Sequence, residues 1–259
     1  MAEHKIQIEI CCGGAEDALA ARKGGADRVE LNSCLFEGGL TPSLGALRRI
    51  RKEAPDFPVF CMVRPREGGF CYTETEFEVM LEDAAAFLEC GADGIVFGFL
   101  KADGSVDEER CRRMLAVIGD KVSVFHRAID VVPDVMQALD TLIELGVTRV
   151  LTSGQAAAAE AGADTIRAMI THAAGRIEVL PGAGIRAHNA KQILEYTGAS
   201  MLHASARRAY RDSSCGGNPL IHFGGSFAAP DGRIFYLPED QYKVTDPEAV
   251  AELVAAANG

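Results

Sequence analysis

The stretch Gly24–Arg51, reading GGADRVELNSCLFEGGLTPSLGALRRIR, decides the fold. It passes from a glycine stop through a short apolar strand, Arg28 to Leu31, into a polar, glycine-bearing loop and then a helix announced by Thr41-Pro42-Ser43. Glycine ends a helix well because the left-handed cap costs it no Cβ clash. Thr41 or Ser43 offers a side-chain oxygen to the first free amides, and Pro42 suits the first helical turn, where its missing N–H loses no partner. The unit is strand, loop, helix.

The joint recurs as CGADGIVF from Cys90, LGVTRVLT from Leu145 and TGASMLHA from Thr197. In each, a glycine closes a helical pattern and a strand starts two or three residues later. Eight β-rich runs follow one another: IQIEI from Ile6, RVEL from Arg28, VFCMV from Val59, GIVFG from Gly94, VSVFH from Val122, RVLTS from Arg149, IEVLP from Ile177 and SMLHA from Ser200. Helical patterns lie between them. Thr73 with Glu76 forms a capping box, Asp107 caps the next helix, and Pro133 stands near the start of another that runs to Leu145. Unbroken alternation to about Ala204 predicts an α/β fold, a single (β/α)8 TIM barrel occupying residues 1–259 as one domain. An open doubly wound sheet is the alternative, and the lack of a GxGxxG after the first strand weighs against it. Residues 206–245 show no sustained periodicity and read as an irregular extension, after which Asp246 caps a final helix that closes the outer ring.

A chain of 259 residues with 48% hydrophobic content can bury a large core. A formal charge of −11 argues against a nucleic-acid surface, which needs clustered Lys and Arg. No run approaches the roughly 18 apolar residues of a membrane span, and the amino terminus carries no cleavage signal, so a cytoplasmic protein is expected. The eight cysteines are dispersed and form no CxxC pair. That pattern suits reduced thiols and excludes zinc-finger and thioredoxin readings.

In such a barrel, chemistry sits at the carboxyl ends of the strands. Side-chain alternation sends Glu9 and Cys11 inward on the first strand, and Glu30 and Asn32 inward on the second. The other ends carry Arg64-Pro65-Arg66, His126-Arg127 with Asp130, Thr152-Ser153, and His203 and Ser205 followed by Arg207. Two readings of these polar ends stand side by side. Glu9 and Glu30 neutralise Arg64 or Arg127 in a structural network; or the arginines make an anion pocket in which Glu9, Glu30, His126 or Asp130 serves as acid or base. The turn Pro181-Gly182-Ala183-Gly184 and the segment Ser205-Ala206-Arg207 fall where barrels commonly hold phosphate, so Gly182, Gly184, Ser205 and Arg207 join Arg64, Arg66 and Arg127 as anion-binding candidates. Soft thiolates select Cu(I), and Cys11 at the end of the first strand with Cys34 in the loop after the second is the candidate pair, Cys12 being the alternative partner.

Taken together, EICC at Glu9 to Cys12, GGADRVEL and EGGLTPSLG in the opening stretch, RPR at Arg64 to Arg66, FCY at Phe70 to Tyr72, FHRAID at Phe125 to Asp130, RVLTSGQ at Arg149 to Gln155, GAGI at Gly182 to Ile185, HASA at His203 to Ala206 and YKVTD at Tyr242 to Asp246 resemble the CutC copper homeostasis family. The resemblance implies a TIM barrel, a cytoplasmic setting, a homo-oligomer (dimer or tetramer) and Cu(I) held by cysteines near the barrel mouth. One departure stands out: the family pattern places a cysteine directly after GADRVEL, and here that position is Asn32. The expectation is a copper homeostasis protein binding Cu(I) through Cys11 and Cys34; the alternative is an enzyme acting on a small phosphate- or carboxylate-bearing substrate.

Overall fold

Eight short parallel strands alternate with helices along the chain in the computed structural model, which describes residues 5–259 apart from 219, 223–225, 230 and 237–238. The strands are β1 (Gln7–Cys12), β2 (Arg28–Leu31), β3 (Val59–Met62), β4 (Gly94–Phe97), β5 (Val122–Phe125), β6 (Arg149–Thr152), β7 (Glu178–Pro181) and β8 (Met201–Ala204). Each expected run overlaps one of them, and β1 extends two residues past its run, to Cys12. They pair in the order β7-β6-β5-β4-β3-β2-β1-β8, and β7 lies beside β8, so the sheet is a nearly closed barrel.

The strand alternation sorts the apolar residues into two cores. Ile8, Ile10, Val29, Leu31, Val59 and Cys61 join a large outer cluster between strands and helices. Phe60, Met62, Val96, Val124, Leu151, Leu180 and Met201 form a smaller cluster inside the barrel. A period-2 strand can bury both faces only where helices cover the outside, which explains why every residue of β2, β3, β4, β6 and β8 is buried.

The helices are α1 (Ala15–Lys23), α2 (Leu44–Glu53), α3 (Glu74–Glu89), α4 (Glu108–Ile118), α5 (Val135–Glu144), α6 (Ala163–Ala173), α7 (Ala187–Thr197) and α8 (Pro247–Asn258). The Thr73–Glu76 capping box forms, and Asp107, Asp134 and Asp246 cap α4, α5 and α8. At α2 the cap is Ser43, whose hydroxyl accepts from the Ala46 amide. Pro42 therefore precedes the cap instead of occupying the first turn, and Thr41 Oγ1 accepts from the Arg64 amide, tying the loop to β3.

The opening glycines divide their work. Gly25, at φ +90°, is the left-handed residue of the first joint, and Gly91, Gly146 and Gly198 fill that role in the others. Gly24 serves close approach: a Cβ there would lie 2.5 Å from Val250 Cβ and 2.6 Å from the Pro247 carbonyl, so α8 seats directly on it. With α7 and α1 as its neighbours, α8 closes the helical ring.

The segment expected to be irregular contains two antiparallel ribbons. Strand β9 (Arg207–Arg211) pairs with β12 (Gln241–Thr245), and β10 (Ser226–Ala228) with β11 (Ile234–Tyr236). Short length and largely exposed side chains leave no apolar alternation to read in β9 or β11. Asp17 Oδ1 accepts from the Thr245 amide at 2.6 Å and fixes the ribbon to α1. Residues 219, 223–225, 230 and 237–238 of the expected extension, and residues 1–4 of the amino terminus, lie outside the described residues.

Candidate functional site

Register places Glu9 beside Arg28 on β2 and His203 on β8. Glu9 is buried and accepts from Arg28 Nε at 2.7 Å and from His203 Nδ1 at 2.8 Å, with Arg149 Nη1 at 3.6 Å. Burial alone would raise its pKa, because it disfavours the charged carboxylate. The hydrogen bond from His203 and the charges of Arg28, His203 and Arg149 outweigh burial and hold the carboxyl down at about 2. Arg28 and Arg149 also lie over the Phe60 ring, at 5.7 and 5.1 Å, and Arg149 reaches Glu178 at 2.6 Å. Glu9 thus has a structural network, but its arginines are not the expected ones. Arg28 and Arg149 begin their strands, whereas only strand ends carried the candidates. Their parity with Glu30 and Leu151 was the signal that points them inward.

Above this layer, Cys11 Sγ, a Glu30 carboxylate oxygen and a His203 ring nitrogen all lie within 4.8 Å of one another. Cys11 Sγ donates to Glu30 Oε2 at 3.5 Å, and His203 Nε2 is 3.9 Å from the same oxygen. Burial and the neighbouring Glu30 charge push the Cys11 thiol up to about 12. Burial raises Glu30 as well, against the pull of His203. At His203 burial works the other way, yet the Glu30 charge and hydrogen bonds with Cys11 and Glu9 raise it well above the usual histidine value. The resting cluster is therefore a thiol beside an imidazolium, and a metal ion entering it must displace both protons.

Asn32 occupies the remaining side. Its Nδ2 donates to Glu30 Oε2 at 2.8 Å and lies 3.5 Å from Cys11 Sγ. Cys34 is placed elsewhere. It is exposed, at φ +46°, and lines a separate cavity with Asp17, Phe36, Arg207 and Tyr242. The structure brings Cys11 to Glu30 and His203, while Cys34 faces the separate cavity; the sequence marks His203 only as a polar strand end.

The other candidates divide between a mouth cavity of about 410 Å³ and its surroundings. Arg64, Arg127, Asp130, His126, Gly184, Ser205 and Arg207 line the cavity with Cys11, Glu30 and His203. Arg66 does not: it pairs with Glu76 at 2.5 Å over the Tyr72 ring. Gly182 serves packing, since a Cβ there would lie 2.6 Å from Leu151 Cδ1. Asp130 is committed to the loop after β6, accepting from Thr152 Oγ1, the Ser153 amide and hydroxyl, and Arg127. Arg64 meets neither Glu9 nor Glu30; it donates to the carbonyls of Glu37, Gly39 and Gly68. His126 is buried against Gly98, and burial together with the Arg64 charge brings it down to about 3, so its ring is neutral.

Comparison with known proteins agrees with this architecture. A family model described as the CutC family matches residues 6–208. A CutC family protein of Treponema denticola is 49% identical over 96% of this chain and 98% of its own length. A human protein named copper homeostasis protein cutC homolog is 44% identical over 96% of this chain and 88% of its own. The crystal structure of a putative copper homeostasis protein CutC from Streptococcus agalactiae superposes with a TM-score of 0.74 at 32% identity, covering 77% of this chain and 98% of that one.

Proposed function

The chain belongs to the CutC family, and from that premise we propose that it serves in copper homeostasis by taking one Cu(I) ion as cargo at the barrel mouth. The carrying observation is the cluster of Cys11, Glu30 and His203, whose donor atoms lie within 4.8 Å of one another. Its chemistry fits the ion: a thiolate is the soft donor that selects Cu(I), and imidazole is a good copper ligand. Cys11 and His203 supply the two bonds in this reading, as thiolate and neutral imidazole, and the two displaced protons leave to solvent. The relatives named for copper homeostasis support the role. A cytoplasmic setting and assembly into a homo-oligomer belong to the same proposal. The eight unpaired thiols favour a reducing compartment, and the exposed Tyr210 and Tyr242 on the β9–β12 ribbon offer an apolar contact for a second copy.

The test is an anaerobic titration with Cu(I) against a chromogenic chelator. One equivalent per chain is expected, with the affinity lost in Cys11→Ser and reduced in His203→Ala. Equal affinity in the parent protein and Cys11→Ser sinks the reading.

A further inference from the structure

We propose that the wall of the mouth cavity formed by Arg64, Phe70 and His126 binds the carboxylate or phosphate group of a small organic molecule, a site that does not depend on copper. Arg64 is the anchor. It is only 6% exposed, and no carboxylate of the described residues lies within ion-pair distance of it. Three backbone carbonyls accept from its Nη1 and Nη2, at 2.8, 2.9 and 3.2 Å, and its Nε has no partner among the described residues. Carbonyl dipoles orient a guanidinium but leave its full charge uncompensated, and a buried uncompensated cation is costly until an anion meets it.

His126 supplies the second unspent donor. It is 3% exposed, and its Nδ1 accepts from the Ala128 amide at 3.1 Å. The neutral ring therefore carries its hydrogen on Nε2, which has no partner among the described residues. Phe70 joins the two groups: its ring lies 4.9 Å from that of His126 and 5.6 Å from the Arg64 guanidinium carbon. That ring gives the wall an apolar surface for the carbon part of a ligand.

The surrounding charges favour an anion. Arg127 and Arg207 line the same cavity, while Asp130 is committed to its hydrogen bonds and Glu30 turns its Oε2 to Asn32, Cys11 and His203. On the opposite side, Ala183 and Gly184 present left-handed backbone, at φ +75° and +74°, in the loop after β7 that commonly holds phosphate in barrels. A volume of about 410 Å³ accommodates a small metabolite but no macromolecular segment.

The test uses metal-free protein with a chelator present and ionic strength held with chloride, titrated calorimetrically with inorganic phosphate and, separately, with acetate. Saturable binding of one of the two per chain is expected, and which one binds assigns the group. Arg64→Gln should weaken it by about tenfold or more, as expected for the loss of charge-assisted hydrogen bonds. Phe70→Asp, on a half-buried loop position, sets a negative charge beside the anchor and should weaken binding similarly even where Arg64→Gln fails to fold. No saturable binding of either probe, or affinity unchanged in the folded variants, overturns the proposal. Because copper is absent throughout, this outcome is separate from that of the copper titration.

Discussion

His203 Nδ1 lies 2.8 Å from Glu9 Oε1, across 194 residues of sequence. The bond joins the first and last barrel strands and links the two polar layers of the interior. Below it, Glu9 holds Arg28 and Arg149; above it, the same imidazole faces Glu30 and Cys11. One histidine thus couples the structural charges to the reactive ones.

Glu9→Gln should cost about 3–5 kcal/mol, because it leaves the buried Arg28 without its counter-charge and Arg149 with Glu178 alone. Urea unfolding at neutral pH measures it as a fall in midpoint at unchanged slope. Since the folded carboxyl titrates at about 2 against an ordinary 4.5, its contribution is complete above the ordinary value and is lost as pH falls toward 2. A loss below about 1 kcal/mol would mean that the arginines find other partners or solvent.

His126 gives the acid limb a second component. Its folded-state value is lowered from 6.5 to about 3, so between these values the unfolded chain binds the proton and the folded chain does not. Stability contributed by the neutral ring therefore falls as pH drops through that window, by about 2 kcal/mol at pH 5. His126→Asn removes this dependence. The stability gap between parent and variant should shrink by that amount between about pH 7 and pH 5, and a pH-independent gap contradicts the neutral buried ring.

Copper affinity should rise with pH. The Cys11 proton is held up to about 12 and the His203 value is also raised, so both groups are protonated at neutral pH in the resting state. Each proton displaced by the metal steepens the dependence by about one decade per pH unit. Calorimetry in buffers of different ionisation enthalpy counts the protons released. A pH-independent affinity excludes Cys11 and His203 as the ligands.

Asn32→Cys should strengthen Cu(I) binding by about tenfold or more, because it sets a second soft donor beside Cys11, where Asn32 Nδ2 now lies at 3.5 Å. The change also removes the 2.8 Å hydrogen bond to Glu30 and should cost about 1–3 kcal/mol of stability. Competition titration and urea unfolding read the two effects separately. Unaltered affinity would place the ion away from this corner of the mouth.

Local signals along the chain specify the barrel. Eight apolar runs, the glycine joints and the caps at Ser43, Thr73, Asp107 and Asp246 are local signals, and each acts within a few residues of where it is read. Strand parity also sent Glu9, Cys11 and Glu30 inward correctly, because alternation is a property of the strand alone. What tertiary structure decided was partnership. Glu9 finds Arg28, Arg149 and His203 in place of Arg64, through inter-strand register that no single run encodes. Cys11 finds His203 in place of Cys34, because the loop after β2 turns Cys34 outward in left-handed backbone. Arg64 ends buried on three carbonyls with no carboxylate of the described residues beside it, since the loops that surround it fold around its guanidinium. Local periodicity fixes which way a side chain points; only closure of the barrel fixes what it meets.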